Sequence, residues 1–275
     1  MNASKQRVYY YHADAAPIGG HFTKPDEMIL ESHGSSSLAQ GGGHIASRVS
    51  RSKERKQDEP VTFDEAYSEI HGATSKSGTW MTRVTSVVEG LNILDMVKAD
   101  RLVAVLEVEH PANGLHPKAS VLESEFDNLS IDGVIINTAF GKSAIPRYKK
   151  GAFPERSLMD DDDYLERAIK QSKQFTDGAT TPAWLKNRYR WVQSRRKRRE
   201  KGYVQCSLVD KLRGAKSGSS FGHVVVVPDF GNIFLGELAV DHHAFRLTMV
   251  RVEMGCDNEG IVSGGTSDSN GSTAP

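Results

Sequence analysis

The sequence predicts a mainly β protein, an antiparallel sandwich or flattened barrel with one inserted α-hairpin at about 157–201. Three observations carry that expectation. Gly222 to Met254 reads as three consecutive antiparallel strands. Leu102, Ala104, Leu106 and Val108 alternate with Arg101, Val103, Val105, Glu107 and Glu109, the period of a half-buried strand. Between Ser157 and Val192 the apolar period changes to that of a helix.

In chain order, Arg7 to Tyr11 (RVYYY) has the aromatic and β-branched content of a first strand. A turn-rich segment, His12 to Gly20, follows it. Residues 31–60 shift to Ser/Gly and then to charged composition, which buries little, and a long loop is expected there. Val61 to Ala66 is a strand. At 80–97, Val84, Val87, Val88, Leu91 and Leu94 sit at helical spacing, yet TWMTRVTSVV is dense in Thr and Val, which pack better in strands. A strand broken at Gly90 is expected, with a helix as the alternative. Arg101 to Glu109 ends at His110-Pro111, and Val121–Phe126 and Ile131–Phe140 supply two more strands.

The helical segment starts at Ser157-Leu-Met-Asp160, with carboxylates at Asp160 to Asp163 where a helix dipole favours them. Leu165, Ala168, Ile169, Ser172 and Phe175 form its inner stripe. Asp177-Gly178 closes it, and Thr181-Pro182 opens a second helix with Trp184, Leu185, Tyr189, Trp191 and Val192 on one face.

In the C-terminal strands, Val224–Val227 is followed by a Pro228–Asn232 hairpin loop and by Ile233–Val240. Phe245, Leu247 and Met249 share a face, and Val250, Val252 and Met254 continue the apolar set one residue out of phase. Such a slip predicts a β-bulge near Met249-Val250. Residues 255–275 carry almost no apolar content and are expected to form a flexible tail behind a single β-rich domain, 1–254.

Composition limits the function classes. Lys+Arg 35 and Asp+Glu 35 cancel, so any attraction to polyanions must be local. Hydrophobic residues at 38% suit a soluble globular protein. MNASKQRVYYYHADAAP lacks the apolar core of a secretory signal and no run is long enough to span a bilayer, so a cytoplasmic protein without a membrane partner is expected. In that compartment Cys206 and Cys256 are expected as free thiols, with a single bridge as the alternative.

Nine cations lie between Lys186 and Lys201, interleaved with Tyr189 and Trp191. They suit either a nucleic-acid or polyanion groove or charge pairing with Asp160–Asp163 and Glu166 on the partner helix; the second is favoured. His12, Asp14 and His21, His242-His243, and His110 with His116 are histidine groups of metal-ligating type, but no HxH, HExxH or CxxC spacing occurs. No metal or cofactor is therefore expected. Gly222, Pro228 and Gly231 resemble a fragment of the second motif of the cupins, metal-binding jelly rolls. Two residues separate the proline and glycine where that family has one, and the histidine and the first motif are missing, so the resemblance implies no activity. Gly-x-Ser-x-Gly, Walker and EF-hand patterns are absent.

The expectation is a non-catalytic binding or self-associating module of unknown ligand, with a protein partner or a second copy as its occupant. The nominated contact residues are Tyr9, Tyr10 and Tyr11 on the first strand, Trp184 and Trp191 seven apart on the second helix, and Arg195, Arg196, Arg198 and Arg199. The alternatives are a polyanion binder through 186–201 and a metal-dependent enzyme using the His12/His21 region.

Overall fold

A computed structural model describes residues 8–50, 59–121, 123–140, 145–146, 148–149, 151–216, 218–255 and 257–273. Its main elements, in chain order, are β1 (Ala13–Lys24), β2 (Met28–His33), β3 (Gly43–Ser50), β4 (Glu65–Thr74), β5 (Trp80–Ile93), β6 (Val97–His110), α1 (Asp162–Thr176), α2 (Ala183–Arg190), α3 (Arg195–Lys201), β7 (Val204–Ser207), β8 (Val224–Val227), β9 (Gly231–Val240), β10 (Phe245–Met254) and β11 (Glu259–Ser269). All strand pairings are antiparallel. The first sheet runs β6-β5-β4-β3, and the second runs β8-β9-β10-β11-β1-β2, with β7 on the same edge of β9 as β8. The sheets pack face to face, β1, β10 and β11 against β4, β5 and β6. The predicted sandwich with inserted helices is the fold observed.

The C-terminal meander forms as predicted, and Phe245, Leu247, Val250 and Val252 are all buried. The phase slip is real, but no residue is inserted. Leu235 pairs with Val250 and Glu237 with Thr248 in unbroken register, and at this level of the sheet the same holds from β10 to β11 and from β11 to β1. The β11–β1 register shifts only further along, between Phe22 and Lys24. The inversion is instead shared by a row of four opposed positions, Gly236, Met249, Gly265 and Pro17. Gly236 and Gly265 adopt φ of 60° and 62°, open to glycine at little cost, and Pro17 has no N–H to leave unpaired. On one side of the row, Ala13, Ala15, Leu238, Val240, Phe245 and Leu247 form one part of the core. On the other, Ile18, Phe22, Ile233, Leu235, Val250, Val252 and Val262 form a second.

The ambiguous 80–97 segment is strand. Gly90 does not break it: pairing with β6 continues from Glu89 to Leu91, and Gly90 turns to φ 62° where a Cβ would meet the Asp64 carboxylate.

Three expectations need correction. Residues 31–60 are not one long loop, because they contain the end of β2, a Ser36–Ser37 strand and β3, which pairs with β4 over eight positions. Among the described residues β3 is a free edge, so its side chains bury little and show no apolar period. The first long strand is not RVYYY, of whose described residues only Tyr9–Tyr10 pairs, but the segment read as a turn. The supposed flexible tail contains β11, paired on both sides in the middle of the second sheet. Its glycines reflect crowding: a Cβ at Gly260 would lie 2.3 Å from the His21 carbonyl oxygen. Cys206 is a buried free thiol; Cys256 lies outside the described residues. Among the described residues no helix is long and apolar enough to cross a membrane.

The helical insertion is present but is not a simple hairpin. Ser157 and Asp161 cap its start, and α2 gives way to a 3-10 turn at Trp191–Gln193. Ser194 then caps α3.

Candidate functional site: a polar groove on the outer sheet face

The helices cover only part of the second sheet's outer face. Phe175 of α1 and Leu185 and Tyr189 of α2 pack on Val224 and Phe234. Beyond this contact the outer face is open, and a groove of about 1070 Å³ lies over β9, β10, β11 and β1.

Its wall is braced by a buried polar network. Arg188 and Arg251 both lie over one ring, 4.6 and 3.9 Å from the Phe234 centroid. The Arg188 guanidinium grips Glu253 through two nitrogens at 3.0 and 2.7 Å. Arg251 donates through Nε and Nη2 to Glu237 Oε2, each at 2.7 Å, and also pairs with Glu253. Glu237 further accepts from Gln205 at 2.7 Å and from the Tyr189 hydroxyl at 3.2 Å. That hydroxyl lies 3.0 Å from Nε2 of His223. Burial, with Glu237 beside it, raises the Tyr189 hydroxyl well above its ordinary value, so it stays a donor. Burial and then the charges of Arg251 and Arg188 hold His223 down to about 3, so its ring is neutral. With the tyrosine proton on Glu237, His223 Nε2–H donates to the Tyr189 oxygen.

The groove floor follows directly from strand register. One row across the sheet is Gln205–Ala239–Arg246–Asp268–Asp14, the next is Glu237–Thr248–Thr266–Ala16, and beyond the inversion row lies Arg251–Ser263–Gly19. Side chains two apart on a strand share a face, so these positions all look outward. Arg246 Nε donates to Asp268 at 2.7 Å, and the Thr248 and Thr266 hydroxyls are 3.3 Å apart. Asp241 at the rim accepts from the backbone amides of His243 and Ala244 at 2.7 and 2.6 Å. Tyr203, packed edge-on to Trp191, lines the groove beside Asp241, one step beyond the Val204–Val240 pair.

The residues nominated from sequence are scattered. Tyr9 and Tyr11 are buried, Tyr9 stacked on Trp80 and beside His110; Tyr10 is exposed. Trp184 is exposed while Trp191 is buried, because the 3-10 turn takes Trp191 out of the α2 face. Arg195, Arg196 and Arg199 are exposed, whereas Arg198 is buried and donates to the Val192 carbonyl at 2.5 Å.

The expected pairing of this basic stretch with 160–166 forms no ion pair among the described residues, although the charge of Asp160 is felt at Arg198. Arg188 goes to Glu253 and Arg196 to Glu200 on its own helix. The turn at 191–193 redirects α3, so the cations do not continue α2. His12 and His21 stand nine residues apart along β1 and its approach, roughly 30 Å at strand rise. His12 contacts Asn270 and Asp14, and His21 contacts Glu27. Among the described residues no three His, Cys, Asp or Glu side chains converge as metal ligands would.

The groove residues missed from sequence are Arg246, Thr248 and Arg251, visible as the polar face of β10, and Ser263, Thr266 and Asp268, hidden in the segment read as a tail. A family model described as "Domain of unknown function (DUF8256)" matches residues 9–241, so the chain belongs to that family. No curated protein and no solved structure matches the chain.

Proposed function

We propose that this DUF8256 member is a non-catalytic binding module whose ligand lies in the groove on the outer face of the second sheet. One observation supports this above the others. Outward side chains of four adjacent strands form a floor of polar groups set among small apolar ones, and the neighbouring wall is braced by the Arg251–Glu237–Tyr189–His223 network. A preorganised concave surface of this kind loses little freedom when a ligand docks. Amide chemical-shift mapping with a panel of sugars, nucleotides, amino acids and short peptides tests it. Shifts should cluster at Arg246, Thr248, Ser263 and Thr266; shifts clustered elsewhere reject the groove.

A second reading, polyanion binding through α3, is favoured by the exposure of Arg195, Arg196, Lys197, Arg199 and Lys201 on one short helix. Binding of single- and double-stranded oligonucleotides at several salt concentrations tests it. Replacing Arg195, Arg196, Lys197 and Arg199 with alanine should flatten the salt dependence. An unchanged slope rejects this reading.

A further inference from the structure

We infer that the groove takes a neutral, hydroxyl-rich ligand, a short oligosaccharide; this rests on the groove being the binding site. The first argument is charge. Both arginines of the floor and wall are already matched to carboxylates, and Asp14 on the floor stands 3.8 Å from His12. Arg246 is bound to Asp268, Arg251 to Glu237, and Asp241 to two backbone amides. An anionic ligand placed at either arginine meets the carboxylate beside it, and a cationic ligand at either carboxylate meets the arginine. A neutral ligand displaces neither pair and loses no ion hydration on entry.

The second argument is hydrogen-bonding capacity. Arg246 uses only Nε on Asp268, and only Oδ2 of Asp268 receives it, among the described contacts. The two terminal guanidinium nitrogens therefore keep N–H donors, and Oδ1 keeps its lone pairs, side by side. Adjacent donor and acceptor groups are what a vicinal diol requires, because each hydroxyl both gives and accepts. The Thr248–Thr266 pair repeats that character one row along, and Ser263 and Gln205 extend it.

The third argument is shape. Ala16, Gly19 and Ala239 are flat apolar patches between the polar groups, suited to the C–H faces of pyranose rings. Tyr203 places an aromatic ring at one rim. Four strands at about 4.8 Å spacing make a floor about 15 Å across, which is longer than one sugar ring.

Titration calorimetry of the full chain tests the inference, with gluco-, xylo-, malto- and chito-oligosaccharides as neutral probes and hexalysine and hexa-aspartate as charged ones. Ala16→Trp fills the floor from its open side, and Thr248→Ala with Thr266→Ala removes two hydroxyls without adding bulk. Thermal melts confirm that each variant folds, and the paired alanine variant carries the test if Ala16→Trp does not. The expected result is binding of at least one neutral oligosaccharide, weakened at least about tenfold in either variant. It should change little as salt rises from about 0.1 to about 1 M. Binding of only a charged peptide, still sensitive to Ala16→Trp, overturns the ligand class and leaves the groove standing. Oligosaccharide binding that neither folded variant weakens, or no binding that either weakens, overturns the groove with it.

Discussion

The Tyr189 hydroxyl lies 3.0 Å from Nε2 of His223, tying the second helix to the residue that leads into β8. His223 is 2% exposed, so the contact is made away from water. It ties the second helix to the network that holds Glu237 and Arg251 at the groove, and it makes the fold sensitive to acid.

His223 is held down to about 3 against an ordinary 6.5, and buried His110 is held down to about 4. The unfolded chain therefore takes up protons near pH 6.5 that the folded chain refuses until far lower pH. This contribution to stability is complete above pH 6.5 and is lost as pH falls towards 3, at up to about 1.4 kcal/mol per pH unit for each group. Melting temperatures across that range should fall less steeply for His223→Gln than for the parent protein. Parallel curves would mean that His223 does not carry the effect.

Removing Glu237 should cost more than removing Arg246, although each belongs to an arginine–carboxylate pair. Glu237 is buried and its loss strands Arg251 against Phe234, whereas the Arg246–Asp268 pair has an exposed arginine. Glu237→Ala is expected to cost about 3 kcal/mol in urea unfolding, towards the low end for a broken buried pair because Glu253 still faces Arg251. Arg246→Ala should cost no more than about 1 kcal/mol. Equal losses would count against the difference in burial.

Phe245 is 1% exposed within the core of the meander. Phe245→Ala should destabilise by about 3–5 kcal/mol through lost burial and a residual cavity. A loss under about 1 kcal/mol in equilibrium unfolding would show that the core closes around the gap.

Gly265→Ala forces a side chain into φ 62°, with its Cβ 3.1 Å from the Met249 side chain. The expected cost is about 1–3 kcal/mol. The control for crowding is Gly133→Ala, which carries the same backbone strain at a φ of 72° but has open space around the new Cβ. Should the two variants cost the same, crowding by Met249 contributes nothing and backbone strain accounts for both.

The legible parts of the fold were those written in large apolar residues. Phe245–Met254 and Leu102–Val108 show their period because Val, Leu and Phe face the other sheet. Val224–Val227 reads as a continuous apolar run because Val224 packs against the helices while Val225 and Val227 join the core between the sheets. β1 and β11 were not legible, since their inner positions are Ala13, Ala15, Ser267 and Ser269, chosen small where backbones and neighbouring side chains crowd. Half of the groove floor sits on those two strands, so the site could not be assembled before they were. Aromatic content alone misled at Tyr9 and Tyr11. Their rings fill the interior beside Trp80, and only the neighbouring Tyr10 faces solvent.

β1 and β11 are partners along nearly their whole lengths, with residues 25–258 between them. At about 5–20 residues per second of synthesis, β1 emerges roughly 10–50 s before its partner exists. During that interval Ile18 and Phe22 have no sheet to bury them from the C-terminal side. Completion of the second sheet is therefore a late event on the ribosome, governed by loop closure over most of the chain. A nascent chain stalled before residue 259 would hold the first sheet's strands but lack the strand that links β1 to β10.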